Sequence, residues 1–180
     1  QPEGRPDDNR IYNNTICFNG RGEDISLDYQ AGILYGDGTS SMRSKGNILL
    51  NNIVFANNVA PLRGGDSDFL FSVNRYINNF EDDPHFVNPD LSDPSRRDIP
   101  DLRLQASSPA IDAGSPLTTV SPEDTGHGTT LHVHDARFFQ DGSWGPQGKI
   151  SADWLAIGLR NQTVQITSID YSSQTIQLAQ

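Results

Sequence analysis

A pair of adjacent asparagines set between apolar runs recurs in the first half of the chain and limits the folds that this sequence can adopt. Ile11-Tyr12-Asn13-Asn14-Thr15-Ile16-Cys17-Phe18-Asn19 aligns with Leu49-Leu50-Asn51-Asn52-Ile53-Val54-Phe55-Ala56-Asn57, and a weaker copy follows at Tyr76-Ile77-Asn78-Asn79-Phe80. A repeat of this length is too short to bury an apolar face by itself. Successive copies must therefore stack and share one core. The repeat therefore predicts a solenoid of short strands stacked in parallel.

Asparagine suits the corners between such strands. It tolerates the left-handed backbone conformation, and its side-chain amide can hydrogen-bond to the equivalent asparagine of the next copy. We expect Asn14 to lie over Asn52 in a ladder of this kind. A further strand is expected at Gly32-Ile33-Leu34-Tyr35-Gly36, while the charged, glycine-rich stretches 20–31 and 59–73 predict projecting loops.

The rest of the chain also has the pattern of an all-β protein. Only 34% of its residues are apolar, and they fall in short runs separated by turn-forming residues. We expect stacked strands and their closing segment over residues 1–115, a linker over 116–128 and a small antiparallel β domain over 129–180. Asp170-Tyr171-Ser172-Ser173 is the expected turn of a hairpin in that domain.

Charge and cysteine content narrow the function. The net charge is −10, from 13 basic and 23 acidic residues, which argues against nucleic acid and anionic membrane as partners. No apolar run reaches the roughly 18 residues of a spanning helix, and no signal peptide begins the chain.

The single cysteine, Cys17, permits no internal disulfide and is expected to be a structural thiol on a strand. No cofactor is indicated with certainty, although Asp82-Asp83 and Asp66-Ser67-Asp68 could form calcium loops.

Three segments after the last asparagine pair resemble, in this order, the closing segment of bacterial right-handed parallel β-helix proteins of the pectate-lyase-like kind. They are Asp83-Pro84-His85-Phe86-Val87-Asn88-Pro89, Asp101-Leu102-Arg103-Leu104-Gln105 and Ser107-Ser108-Pro109-Ala110-Ile111-Asp112-Ala113-Gly114. Asp135-Ala136-Arg137-Phe138-Phe139 and Ile169-Asp170-Tyr171 are similar to the β domain that follows the helix in some of these proteins. The resemblance implies the last coils of a right-handed parallel β-helix, followed by a small antiparallel β barrel or curled sheet.

The same resemblance implies a secreted or cell-surface protein that binds or processes polysaccharide. Its relatives include polysaccharide lyases, glycoside hydrolases, epimerases and adhesive surface proteins, among which a fold alone does not choose. Such helices usually have more coils than this sequence shows, so a piece of a longer protein is expected, with its catalytic groove on missing coils. An open coil end would also expose strand edges, which predicts a homodimer formed through the coil ends.

Candidate catalytic residues lie in the expected loops. Asp37 ends a strand and could pair with Asp66 or Asp68, since glycoside hydrolysis needs two carboxyl groups roughly 5–9 Å apart. The alternative is that Gly36-Asp37-Gly38 is simply a turn. Lys45, with Arg43, could neutralise a uronate in a lyase, or could belong to an exposed loop that keeps the protein soluble.

Binding and metal candidates complete the set. His132 and His134 share one face of a strand, and Asp135 or His127 could complete a metal site with them; the alternative is a polar strand face. Aromatic side chains suited to sugar stacking are Tyr29, Tyr35 and Trp144, whereas Trp154, beside Leu155, is expected in the core. We therefore expect a polysaccharide-binding β-helix module, with a glycan-cleaving enzyme and a structural or adhesive surface protein as alternatives.

Overall fold

The computed structural model describes residues 7–18, 31–35, 45–57, 60–64, 73–89, 100–146, 149–158 and 162–180. These residues form short strands and a single turn of 3₁₀ helix, which confirms the all-β class. The chain divides into two compact units, Gln1–Ser115 and Pro116–Gln180. Within the described ranges, no helix is long and apolar enough to cross a membrane.

Strands of the first unit pair mainly in parallel, copy against copy. The order along one sheet is β1-β4-β7, while β2 pairs with β5 and β3 with β6. The register follows the sequence repeat, since Ile11 lies opposite Leu49 and Leu49 lies opposite Tyr76. The strands are β1 (Arg10–Tyr12), β2 (Thr15–Cys17), β3 (Ala31–Tyr35), β4 (Ile48–Leu50), β5 (Ile53–Phe55), β6 (Ala60–Gly64), β7 (Arg75–Ile77), β8 (Phe86–Asn88) and β9 (Asp101–Leu104).

The middle copy of the repeat forms the core of this unit. All three residues of β4 are buried, and Leu49 and Val54 are almost fully enclosed. A parallel strand covered on both faces reads as a continuous apolar run, as Ile48-Leu49-Leu50 does. The stacking of one copy on the next therefore supplies the burial that a single copy lacks.

Asparagine occupies the corner that follows each strand of the β1-β4-β7 sheet. Asn13, Asn51 and Asn78 have φ values of 55°, 57° and 48°. This left-handed conformation is unfavourable for most side chains by about 1–2 kcal/mol, and asparagine is one of the few residues that visits it routinely. The corners thus explain the first asparagine of each pair.

The second asparagine of each pair forms the predicted ladder. Asn14 Nδ2 donates to Asn52 Oδ1 at 3.0 Å, and Asn52 Nδ2 donates to Asn79 Oδ1 at 2.7 Å. The backbone N–H groups of Asn14 and Asn52 donate to the same oxygens at 3.1 and 3.0 Å. The prediction that Asn14 lies over Asn52 is confirmed. A second ladder, of Asn9, Asn47 and Asn74, runs in the same way and was not expected.

The three segments of the expected closing segment also contact one another. Strand β8 pairs with β9 in antiparallel fashion, and Ser108 Oγ donates to the carbonyl oxygen of Pro84 at 2.5 Å. At its end, Ser115 is hydrogen-bonded to Asn51 of the middle copy. The segment is therefore held to itself and to the repeat.

The second unit is a four-stranded antiparallel sheet of order β10-β13-β12-β11. Its core side chains are Leu131, Val133, Ala136, Leu155, Ile166 and Ile176. In the described part of the unit, β10 and β11 are the two edges, so an open sheet is observed and not a closed barrel. The elements are β10 (Thr130–His132), the 3₁₀ helix (Ala136–Phe138), β11 (Trp154–Ala156), β12 (Thr163–Asp170) and β13 (Thr175–Leu178).

Residues 116–128, expected to be a linker, belong to this second unit in the structure. Val120 forms an antiparallel bridge with Val133, and His134 N donates to the carbonyl oxygen of Thr119 at 3.0 Å. Asp124 accepts the backbone N–H of His132 at 2.7 Å. Proline and glycine content thus marks a stretch without regular strands, but the backbone of this stretch is paired with the sheet.

A β-bulge in β12 changes which side chains of this strand face the core. The register with β13 shifts between Ile166 and Ser168, so Thr167 is the extra residue and side chains beyond it change face. Val164, Ile166 and Ile169 can therefore all pack on the core, although the last two are three residues apart.

Candidate functional site

The loop between the 3₁₀ helix and β11 presents an exposed tryptophan. Trp144 is 67% exposed, more than any other large apolar side chain in the described ranges. Leaving an indole of this size in water forgoes burial that would stabilise the fold by a few kcal/mol. A single exposed apolar side chain is common on protein surfaces, so the residues around Trp144 decide whether it marks a binding site.

Asp141 ties this loop to the sheet. Its Oδ1 accepts the N–H of Ser143 and its Oδ2 accepts the N–H of Ile169 on β12, both at 3.0 Å. The hydrogen bond from the Ser143 side chain, followed by those from the Ser143 and Ile169 amides, keeps the pKa of Asp141 below its ordinary value. The carboxylate is therefore charged at neutral pH and links the residue before Trp144 to a central strand.

Gln140 and Asp153 close the base of the same loop. Gln140 N donates to Asp153 Oδ2, and Asp153 N donates to the Gln140 carbonyl oxygen, both at 2.9 Å. The Gln140 side-chain oxygen also accepts the N–H of Gly142 at 2.6 Å. These bonds hold the two described ends of the loop to each other.

Two glycines let the loop fold tightly against Ile150. Gly142 has a φ of 83°, and a Cβ placed on it would lie 2.9 Å from the carbonyl oxygen of Ile150. A Cβ on Gly145 would lie 2.6 Å from Ile150 Cδ1. Only glycine fits at these two approaches without displacing a neighbour.

Trp144 is paired with an anchored tyrosine. The ring centroids of Trp144 and Tyr171 are 5.8 Å apart, with an angle of 50° between the planes. Tyr171 packs against the core of the unit, and its hydroxyl donates to the carbonyl oxygen of Phe139 at 3.0 Å. The two rings form a tilted corner, in which Tyr171 is held by the fold and Trp144 is open to solvent.

Two acidic residues lie close in sequence to Trp144 and Tyr171. Hydrogen bonds from the side chains of Ser172 and Ser173, and then from their amides, lower the pKa of Asp170 to about 2. Asp170 directly precedes Tyr171, just as Asp141 lies three residues before Trp144. Both carboxylates therefore stay charged over the whole neutral range, close in sequence to the two rings.

Most of the predicted catalytic and stacking residues fall outside the described ranges. Asp37, Asp66, Asp68 and Tyr29 are among them, so these assignments stay predictions. Tyr35 ends β3, where its backbone lies opposite Gly64.

Lys45 is described and exposed, and its backbone has a structural role. Its N–H donates to Asp7 Oδ1 at 2.9 Å, and its carbonyl oxygen accepts the N–H of Asp8 at 3.0 Å. The residue therefore holds the segment that precedes β1, while its proposed part in a lyase stays a prediction.

The structure does not assemble the predicted metal site. His132 Nδ1 lies 3.2 Å from Thr175 Oγ1, and His134 is exposed. Asp135 instead caps the 3₁₀ helix through the N–H of Arg137 and forms an ion pair with its guanidinium at 3.0 Å. Across the described ranges, no three His, Cys, Asp or Glu side chains stand close enough to hold a metal ion.

Two acidic residues in and next to the predicted Asp82-Asp83 calcium loop have other partners. Glu81 accepts the Tyr76 hydroxyl at 2.5 Å, and Asp83 Oδ1 accepts the N–H of His85 at 2.8 Å. Asp83 is thus a turn-forming aspartate, the common use of this residue before an irregular segment.

The prediction that Trp154 lies in the core is wrong. Trp154 is 64% exposed, whereas the next residue, Leu155, is only 6% exposed. Neighbouring side chains on a strand point to opposite faces, so the burial of Leu155 sends Trp154 outward on the edge strand β11.

Sequence reasoning also missed a small cleft at the asparagine corner of the first unit. Its volume is about 260 Å³, somewhat below the roughly 300–1,000 Å³ of typical ligand pockets. Several of the amides around it already serve the ladder or hold Ser115, so we place the candidate site at Trp144. The lining includes Asn13, Asn14, Asn51, Asn52, Asn78, Phe80 and Gly114.

Comparison of the chain with protein-family models, with curated proteins and with solved structures finds no match.

Proposed function

We propose that this chain is a polysaccharide-binding module. In this proposal the first unit consists of the last coils and closing segment of a right-handed parallel β-helix, and the second unit presents Trp144 to a sugar ring. Parallel pairing of the repeat copies and the asparagine ladder support the first part. The right hand is expected because nearly all crossovers between parallel strands of one sheet have it.

The observation that carries the proposal is the combination of exposure and order at Trp144. The ring is 67% exposed, yet the loop around it is held by the Asp141 and Gln140 hydrogen bonds. A ligand that stacks on this ring meets a loop whose ends are already hydrogen-bonded, which lowers the entropy lost on binding. Sugar rings present C–H faces that suit an aromatic plane, and their hydroxyl groups suit the polar loop around it.

Binding is favoured over hydrolysis at this site by the state of its carboxyl groups. A general acid of a glycoside hydrolase must keep its proton near neutral pH, which requires a raised pKa. The pKa values of Asp141 and Asp170 are lowered. A glycan-cleaving activity through Asp37 with Asp66 or Asp68 stays an alternative that rests on the sequence.

The test is a glycan-binding screen on the purified chain with two matched variants. Trp144→Ala is expected to weaken binding about tenfold or more, as the loss of an anchoring aromatic does. Trp154→Ala is the control, because it removes the same residue type at nearly the same exposure from the same unit, but on the strand face.

Three outcomes would count against the proposal. Equal binding by Trp144→Ala and the parent chain would remove the role of the ring. Release of shortened glycan, abolished by Asp37→Ala, would make the chain an enzyme. An absence of binding to every glycan would favour the structural or adhesive alternative. Export to the cell surface and dimerisation through the coil ends belong to the same proposal, supported by the resemblance alone.

A further inference from the structure

The charged residues near Trp144 and Tyr171 in the chain indicate which class of sugar the Trp144 site accepts. Asp141 is bonded at once to the residue before Trp144 and to Ile169, two residues before Tyr171. Asp170 lies next to Tyr171 in the chain, and Asp153 lies at the base of the loop. The Asp141 carboxylate is therefore bonded inside the loop that carries Trp144, the Asp153 carboxylate is bonded at the base of that loop, and Asp170 is adjacent to Tyr171 in the chain.

Positive charge is sparse in the same region. Lys149 is the lone lysine or arginine from residue 138 to residue 159, and Arg137 is already paired with Asp135. The second unit as a whole carries more acidic than basic residues: Glu123, Asp124, Asp135, Asp141, Asp153 and Asp170 against Arg137, Lys149 and Arg160. A ligand at this corner thus meets a negative local field.

We infer that the Trp144 site binds an amino sugar with a protonated amine more tightly than it binds a neutral N-acetylated sugar or an acidic uronate of the same linkage. An ammonium group is attracted to the face of an indole ring and to nearby carboxylates. A uronate would be repelled by the same carboxylates. This inference rests on the proposed function, because it names the class of sugar that the proposed site takes.

The carboxylates can act on a ligand although they are hydrogen-bonded. An ionised carboxyl group offers about four acceptor positions. Asp141 already accepts the N–H groups of Ser143 and Ile169 and a hydrogen bond from the Ser143 side chain, but these neutral donors leave its negative charge in place, and that charge attracts an ammonium group. The lowered pKa of Asp170 keeps its charge over the working range of the experiment.

The experiment compares three short oligosaccharides of one linkage by calorimetry on the full chain: glucosamine, N-acetylglucosamine and glucuronate oligomers. Short oligomers are needed because a chain of net charge −10 attracts any polycation. We expect the glucosamine oligomer to bind about fivefold tighter than the N-acetylated one, in line with an exposed cation–π contact. The preference should shrink as salt is added, and the glucuronate oligomer should bind most weakly.

Two charge variants test the cause. Asp170→Asn keeps a side-chain oxygen for the Ser172 amide but removes the charge, so it should lower the ratio of the glucosamine affinity to the N-acetylglucosamine affinity. Lys149→Gln removes the local positive charge, so it should increase the preference, and it does not depend on the Asp170 turn remaining folded. Trp144→Ala should weaken all binding.

The outcomes separate the two proposals. Binding of the neutral oligomer through Trp144 without preference for the amino sugar would overturn this inference and leave the proposed function standing. Tight binding of the glucosamine oligomer that survives Trp144→Ala would overturn both, since it would show general attraction to an acidic protein. A preference unchanged in Lys149→Gln would also overturn the inference.

Discussion

The side-chain amide of Asn51 holds both polar groups of the Ser115 backbone. Its Nδ2 donates to the Ser115 carbonyl oxygen at 2.8 Å, and its Oδ1 accepts the Ser115 N–H at 2.9 Å. Asn51 lies at the corner after β4, in the middle copy of the repeat, with a φ of 57°. One side chain thus joins the stacked strands to the end of the segment that follows them.

Asn51→Gly is expected to release the closing segment. Glycine adopts this φ without strain, so the variant loses the two hydrogen bonds to the Ser115 backbone and the longer one from Ser115 Oγ at 3.4 Å, which together contribute about 1–3 kcal/mol. Amide exchange at Ser115 should accelerate accordingly, and limited proteolysis near this residue should become faster.

Asn13→Gly is the matched control, since Asn13 has a φ of 55° at the equivalent corner of the first copy and an exposed side chain. It should leave exchange at Ser115 unchanged. Equal acceleration in the two variants would show that the Asn51 amide does not hold the segment.

Asn52→Ala is expected to destabilise the first unit strongly. Asn52 is fully buried, and its amide accepts from Asn14 and donates to Asn79 and to the Ile11 carbonyl oxygen. Each partner left unsatisfied costs about 1–3 kcal/mol, so the free energy of unfolding should fall by about 3 kcal/mol or more. Urea denaturation measures the change in the free energy of unfolding, and amide exchange in β4 shows whether the loss lies in the first unit.

Asn14→Ala provides the comparison at the exposed end of the same ladder. Because the Asn14 backbone N–H still donates to Asn52 Oδ1 in this variant, the effect should be about 1 kcal/mol. If the two alanine variants lose the same stability, burial does not set the strength of the ladder.

Acid should weaken the β12–β13 turn through Asp170. The pKa of this carboxyl is about 2 in the folded chain against an ordinary value of 3.8. A lowered pKa stabilises the folded state above the ordinary value, and this contribution is lost as the pH falls through the folded-state value. The protection factor of the Ser172 amide, which compares its exchange rate with that of an unstructured amide at the same pH, should therefore fall between about pH 4 and pH 2. In Asp170→Asn this protection factor should be lower at neutral pH and should lack this step; an unchanged step would assign the titration to another group.

Gly142→Ala should disturb the Trp144 loop more than a glycine of similar backbone conformation elsewhere. Gly142 and Gly128 have φ values of 83° and 85°, but only at Gly142 would a Cβ approach the backbone of Ile150, at 2.9 Å. Both variants incur the left-handed strain of about 1–2 kcal/mol, and Gly142→Ala adds the displacement of residue 150. The melting temperature and the glycan affinity should both fall further in Gly142→Ala than in Gly128→Ala. Equal losses in the two variants would show that the loop adapts to the added Cβ.

The asparagine positions were predictable because their causes are local. A left-handed corner selects asparagine at each site by itself, and a repeat that pairs in register brings equivalent amides together. Asn14 over Asn52 follows from the repeat alone. The ladder of Asn9, Asn47 and Asn74 was missed because the apolar residues around it do not repeat as clearly as those at the Asn-Asn pairs.

The site was predictable in part. Glycine and proline around Trp144 indicate a loop, and an indole on a loop is a natural stacking surface, but its partner is not visible in the sequence. Tyr171 and the Asp141–Ile169 bond come from the other end of the unit, and a contact over such a separation has no local pattern. Trp154 shows the same limit, because an apolar triplet does not say which of its members faces the core.

The sequence by itself determined the all-β class, the stacked asparagine copies and the β12–β13 hairpin, because short-range backbone preferences and a two-residue side-chain period suffice for these. Only the tertiary structure decided that Leu155 points inward and Trp154 outward, that residues 116–128 pair with the sheet, and that Trp144 meets Tyr171. The physical reason is that burial and charge are properties of the folded surface. They depend on which distant strands cover a residue, and no local stretch of the chain encodes that.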